Sequence, residues 1–185
     1  MQGNSMSAKA SVFIATSLDG FIARPDGNLD WLDEANRTVP AGEDCGYAAF
    51  MSSVDVLVMG RKTFEKVRSF GDWPYGDTNV VVMSRTPVAF PADFQKCVTH
   101  SSETPADLHR RLSGDGAKHL YIDGGNTVRR FLNAGLIDEI TLTVIPVLIG
   151  DGIPLFGPLE KDIKLTHLTT KIFDCGFVQT KYAVV

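Results

Sequence analysis

The sequence predicts an α/β fold, with a mixed, mostly parallel sheet flanked by helices and an antiparallel hairpin at its C-terminal end. Three observations predict it. Apolar runs of strand length alternate with amphipathic segments of helix length, the order that builds parallel sheets through crossover helices. The runs at 54–59, 79–84 and 119–123 are rich in Val, Leu, Ile and Met, as strands covered on both faces require. Asp174-Cys175-Gly176 separates the last two strand-length segments and marks a hairpin turn.

Taken in order, the first strand falls at 10–16 and leads into a loop punctuated by Asp19-Gly20 and Pro25-Asp26-Gly27. A helix follows at 46–53, then the strand 54–59 and a helix at 63–68 that opens after Gly60. Strands at 79–84 and 96–99 precede a helix at 105–112, for which Thr104-Pro105 supplies an N-cap and a first-turn proline. The strand 119–123 runs into Gly124-Gly125 and a helix at 127–134, which Gly135 stops. The remainder reads as strands at 139–147, 163–173 and 177–184, with a glycine-rich strand exit at 148–154.

Composition bounds the rest. With 185 residues, 44% hydrophobic and 22% charged, the chain has enough apolar mass for one well-buried domain over 10–185. Residues 1–9 are polar and read as a disordered extension. A net charge of −4 without any basic run argues against nucleic acid as a partner. No charged-then-apolar leader pattern and no long apolar span is present, so no membrane role is expected and the expected location is the cytoplasm. Cys45, Cys97 and Cys175 are odd in number and scattered, which suits reduced thiols. His100, His109, His119 and His167 lack metal-ligand spacing, and no metal is expected.

Three strand exits carry the chemistry. Met59-Gly60-Arg61-Lys62-Thr63 places a glycine, two cations and a hydroxyl where a helix starts, and unpaired N–H groups there attract phosphate. Arg61 can grip phosphate oxygens in bidentate fashion, and Thr63 can donate its hydroxyl. Ser84-Arg85 ends a second strand with a hydroxyl and a guanidinium. An acidic residue would be expected there if an unphosphorylated ribose were held, so NADPH is favoured over NADH. Gly124-Gly125-Asn126-Thr127 lets a backbone approach a pyrophosphate at a third junction. Each alone also fits an ordinary turn or helix start. Neither the Walker spacing nor the G-x-G-x-x-G fingerprint is present.

With these stretches in place, the chain resembles the dihydrofolate reductase-like superfamily, in particular the reductase domain of the bifunctional deaminase/reductase of riboflavin biosynthesis. The resemblance is carried by ATSLDGFIA at 15–23, MGRKT at 59–63, VMSR at 82–85, IDGGN at 122–126 and TVIPVLIGDGIPLF at 143–156. It implies a three-layer αβα sandwich with an eight-stranded sheet, an NADPH-dependent reductase and a homodimer. The implied reaction is hydride transfer to a small nitrogen heterocycle or imine, similar to 5-amino-6-(5-phosphoribosylamino)uracil reduction. It also implies that Ala15 and Thr16 lie beside the nicotinamide and that the loop holding Asp19 and Gly20 is a lid. The zinc motif of the fused deaminase is absent, and residues 33–43 depart from the dihydrofolate reductase pattern. A dihydrofolate or pterin reductase and a non-catalytic NADPH-binding protein remain the alternatives.

The substrate half admits two readings at each candidate. Trp31 is either an apolar wall of the pocket or a core anchor. Asp44, before the helix at 46–53, is either the acid that supplies a proton to the reduced substrate or an N-cap.

Overall fold

Burial on both faces is what fixes the centre of the molecule. In this computed structural model, which describes residues 7–91 and 96–185, strand β3 (Val56–Gly60) has its first four residues buried. Such a strand needs partners on each side and a layer on each face. It pairs in parallel with β4 (Asn79–Met83) and β6 (His119–Asp123), and β4 pairs in turn with β5 (Val98–Ser101). On the other side, β1 (Lys9–Ser17) lies between β6 and β7 (Glu139–Ile145), parallel to both. The chain ends in β9 (Leu165–Ile172) and β10 (Val178–Val184), antiparallel to one another, with β10 antiparallel to β7. The sheet thus has eight strands in the order β5-β4-β3-β6-β1-β7-β10-β9. The predicted mixed, mostly parallel sheet with its C-terminal hairpin is the one observed.

Alternation along each strand divides the core. Val56 and Val58 of β3, Leu120 and Ile122 of β6 and Val12 of β1 meet helices α4 (Pro105–Gly114) and α5 (Gly125–Asn133). Leu57, Met59, Val80, Val82 and Tyr121 point the other way, toward α2 (Tyr47–Met51) and α3 (Arg61–Arg68). Helix α1 (Asp30–Asn36) adds Trp31 to a third cluster with Ile145, Phe173 and Phe177. Period-two strands between helices that bury one face each give the three layers.

Short elements were not legible in the sequence. The loop after β1 contains β2 (Phe21–Ala23), which pairs with the two-residue β8 (Ile153–Pro154), and then α1. Where element ends moved, they moved by one or two residues, as for β5, expected at 96–99 and found two residues later. The expected disordered extension needs a new boundary. Residues 1–6 lie outside the described residues, but Ala8 is buried, its N–H bonded to Ser113 Oγ at 2.9 Å, and Lys9 begins β1.

Single carboxylates strap strand starts together. Asp55 Oδ2 accepts the N–H groups of Lys118 and His119 at 2.8 and 2.9 Å, and Asp138 Oδ2 accepts that of Ala10 at 2.7 Å. Asp55→Ala leaves two donors without this acceptor and is expected to cost about 1–2 kcal/mol of stability in urea denaturation. The site lies at the opposite edge of the sheet, so nucleotide affinity in this variant should be unchanged.

Candidate functional site

All six parallel strands end on one edge of the sheet, and the three predicted exits meet there. Met59 of β3 sits beside Asp123 of β6, so α3 and α5 start side by side. A β-carbon on Gly60 would stand 3.0 Å from Thr127 Oγ1, and one on Gly124 would collide with Thr63 Oγ1. The two helix starts are therefore interlocked through glycine and threonine. Gly124 also has φ +85°, a conformation that side-chain-bearing residues rarely adopt. Neither helix has a side-chain cap at its start, so the first-turn N–H groups of both remain available for an anion.

The third exit joins them through a residue that the sequence did not single out. Arg61 Nη1 donates to Thr86 Oγ1 at 3.0 Å, and the Thr86 N–H donates to Ser84 Oγ at 3.3 Å. Arg61 also pairs with Glu65 at 2.7 Å along its own helix. Lys62, Arg85 and Asn126 are exposed around the same rim. Gly125 serves packing instead: a β-carbon there would stand 2.9 Å from the Pro154 carbonyl oxygen, where β8 crosses the start of α5. Ala15 lines a pocket beside this edge, whereas Thr16, buried, faces the opposite side of the sheet.

That pocket, about 330 Å³, lies between β1, β7 and the segment from α1 to α2. Phe13, Ala15, Ile145 and Phe177 give it apolar surface, and Glu43 and Asp44 stand among its polar residues. Gln179 Nε2 donates to both Thr143 Oγ1 and the Cys45 carbonyl at 2.9 Å, clamping the 43–45 segment to β10. Cys45 has φ +55°, the one non-glycine residue with positive φ among the described residues. Burial pushes its thiol pKa up.

Three candidates take definite places here. Asp44 is exposed, and its carboxylate accepts the N–H groups of Gly46 at 2.8 Å and Ala48 at 2.7 Å. Those bonds hold it below the usual carboxylate range, so it is a cap on α2 and not a reservoir of protons near neutrality. Trp31 is a core anchor behind the pocket, and its neighbour Leu32 supplies the wall. Asp19 staples its loop in place: it accepts Ser17 Oγ at 2.6 Å and the N–H groups of Ile149 and Gly150 at 3.1 and 2.8 Å. The Gly20 carbonyl accepts Leu155 N–H at 3.1 Å, so the expected lid is tied at its start to the chain on both sides of β8.

The residue that sequence reasoning passed over is Asp123. It ends β6, its Oδ1 accepts the N–H of Gly124 at 2.8 Å, and burial pushes its pKa up to about 6. Its charge is felt by Tyr47, Tyr75 and Tyr121, whose hydroxyl pKa values burial also raises, that of Tyr47 to about 12. Tyr47 packs edge-on against Phe13 of the pocket, ring centres 5.8 Å apart. The available signal was its place immediately before the glycine pair. Among the described residues no cluster of metal-ligating side chains occurs, and no helix is long and apolar enough to cross a membrane.

A titration tests Asp123 independently of any ligand. Its native pKa of about 6 exceeds the unfolded value of about 4, so between those limits the native state binds more protons. Its contribution to stability is therefore full below about pH 4 and lost as pH rises to about 6, by up to about 1.4 kcal/mol per unit. Urea denaturation across pH 4–7 should show this decline relative to Asp123→Asn.

Comparison with known proteins places this geometry. Residues 8–178 match the model of the RibD C-terminal domain. The uncharacterized protein YwjB of Bacillus subtilis (strain 168) is 38% identical over 171 residues, covering 91% of this chain and 94% of that one. A crystal structure described as a "Putative riboflavin biosynthesis protein" from Shewanella sp. PV-4 superposes with a TM-score of 0.88 at 40% identity, covering 96% of this chain and 99% of that one. The Thermotoga maritima diaminohydroxyphosphoribosylaminopyrimidine deaminase/5-amino-6-(5-phosphoribosylamino)uracil reductase shares the fold, with a TM-score of 0.74 at 13% identity. That match covers 97% of this chain and 57% of the Thermotoga chain.

Proposed function

The chain belongs to the RibD C-terminal domain family, and from that premise we propose that it is an NADPH-dependent reductase of a small nitrogen heterocycle or imine. One observation carries the reading: two interlocked helix starts, both without side-chain caps, open at the carboxyl ends of adjacent strands. Paired N–H clusters of this kind suit a pyrophosphate. Gly60, Thr63, Gly124 and Thr127 shape that cradle, with Lys62, Gly125 and Asn126 at its margins. Arg61, Ser84 and Arg85, gathered around Thr86, then suit the extra phosphate of NADPH. Ala15 brings the nicotinamide end next to the pocket.

Bound in that cradle, the dinucleotide supplies the hydride. The protein supplies orientation, apolar walls that exclude water, and a proton. Asp123 holds that proton on Oδ2, because Oδ1 is engaged by the Gly124 N–H. A carboxyl pushed up to about 6 remains partly protonated near neutrality. Asp44, ionised and fixed as a cap, is left to bind rather than to protonate.

NADPH should bind more tightly than NADH by calorimetry, and Arg85→Ala should erase most of that preference by removing a charge-assisted contact of about 1.5–3 kcal/mol. Equal affinities, unchanged in the variant, would exclude the assignment. NADPH oxidation against pterins, dihydrofolate and ribosylaminopyrimidines tests turnover, which should fall as pH rises above about 6. Asp123→Asn should lower it about 100-fold and flatten the profile. Tight binding without oxidation across the panel would support a non-catalytic nucleotide-binding protein instead.

The reading includes a cytoplasmic homodimer. No disulfide joins Cys45, Cys97 or Cys175, in keeping with a reducing compartment. Every residue of the edge strand β9 is exposed, including Leu165, Leu168 and Ile172, an apolar edge that a second copy would cover. Light scattering at micromolar concentration should find two chains per particle, and one chain per particle would refute the dimer.

A further inference from the structure

We propose that Cys45 and Cys175 are a redox pair, which a low-molecular-weight disulfide such as oxidised glutathione converts into a reversible cross-link between the wall of the pocket and the turn joining β9 to β10. The fold brings the two cysteines to one place. Both pack on the cluster formed by Trp31, Ile145, Phe173 and Phe177. The segments that carry them are also fixed to each other. Gln179 of β10 donates from Nε2 to the Cys45 carbonyl at 2.9 Å. Phe177, two residues beyond Cys175, lines the pocket together with Cys45. Gly176 turns the chain at φ +85°, where a β-carbon would stand 3.7 Å from Pro146 Cγ just past β7.

Each thiol is poised differently. Cys45 sits in a left-handed conformation at φ +55°, which a residue with a side chain adopts at some cost. Burial pushes its thiol pKa up, and the charges of Glu43 and Cys175 add to that push. Cys175 lies beyond the last ladder pair of the hairpin, Ile172 with Val178. From there the turn can close to the Cα spacing of about 7 Å or less that a disulfide requires. Both side chains are partly exposed, within reach of a small oxidant. Cys97 takes no part, because it packs against the other cluster with Met59 and Phe64, and its thiol donates to the Gly76 carbonyl at 4.0 Å.

The chemistry runs in two exchanges. Cys45 is largely protonated near neutrality, so Cys175 begins. Its thiolate attacks one sulfur of oxidised glutathione and releases one glutathione thiolate, which takes up a proton. Cys45 then loses its proton to solvent, its sulfur attacks the Cys175 sulfur of the mixed disulfide, and the second glutathione leaves. Two protein thiols are oxidised by two electrons, and one disulfide is reduced to two thiols. A transient bond of this kind is compatible with a reducing compartment. Phe177 and Cys45 both line the pocket, so the bond holds two of its walls at one separation and makes its width depend on redox state. The cross-link needs no nucleotide and stands apart from the reductase reading.

The test uses the whole chain, reduced and then exposed to excess oxidised glutathione. Intact mass spectrometry should show the loss of two hydrogen masses, which dithiothreitol restores. Peptide mapping without reductant should join the segment holding Cys45 to the one holding Cys175. Cys45→Ser removes the second attacking thiol, so one glutathione should accumulate on Cys175. Cys175→Ser should take up glutathione at Cys45 about tenfold more slowly, because that thiol is buried and protonated. Thermal melting checks that both variants fold. Hydrogen exchange in the oxidised protein should slow at 43–48 and at 173–177. No loss of mass, a lasting glutathione adduct on the unsubstituted protein, a bond to Cys97, or equal uptake by the two variants overturns the redox pair. A cross-link that leaves exchange at 43–48 unchanged overturns its coupling to the pocket.

Discussion

Two threonine hydroxyls set against two glycines hold β3 and β6, with the helices that leave them, at a spacing that a β-carbon would crowd at Gly60 and that Gly124 could not keep with one. Thr127 fills the place where a side chain on Gly60 would go, and Thr63 does the same for Gly124. The contact is local, but both faces of the core depend on it. Phe64 of α3 reaches the cluster on one face, and Val128 and Phe131 of α5 reach the other. Forcing the starts apart would misplace both layers at once. The same glycines occupy the N-cap positions, where serine or aspartate would have satisfied the first-turn donors. Close packing and an unmet need for an anion thus have one cause, which is why the fold and the proposed cofactor site are hard to separate.

That cause was largely readable in the sequence because it is short-range. At two of the three exits a buried strand, a glycine and a helix start occupy fewer than ten consecutive residues, and at the third a hydroxyl and a guanidinium follow the strand directly. The elements that escaped notice draw their definition from afar. Phe21–Ala23 is a strand only because Ile153–Pro154 passes beside it, and α1 is a seven-residue helix with no capping side chain. Nothing local distinguishes either from a loop, since propensity over so few residues is weaker than tertiary contact.

The two aspartates show the same division at the level of chemistry. Asp44 precedes a helix, and that position alone explains its bonds to Gly46 and Ala48 and its lowered pKa. Asp123 has an equally plain neighbourhood in sequence, but its raised pKa comes from burial, in surroundings that Tyr47 and Tyr75 reach from segments roughly fifty or more residues away. Capping is written in adjacent residues; desolvation is written in the fold. A reading from sequence could therefore weigh Asp44 between acid and cap, but had no view of the burial that sets Asp123 apart.

Charge is sorted along the same edge of the sheet. Arg61, Lys62 and Arg85 gather where β3 and β4 end, while Glu43 and Asp44 stand across β1 at the pocket. An anionic dinucleotide would be drawn to the first end and repelled by the second, so the edge assigns it a place without a dividing wall. Between them lies Asp123, whose charge reaches Tyr47, a ring packed against Phe13 of the pocket. Were that carboxyl ionised throughout the neutral range, the acidic side would extend to the cradle and oppose the phosphates. Burial keeps part of its population neutral instead, and the neutral form is also the one with a proton to give. In the proposed reaction, the condition that lets both ligands sit side by side is the one that lets the chemistry proceed.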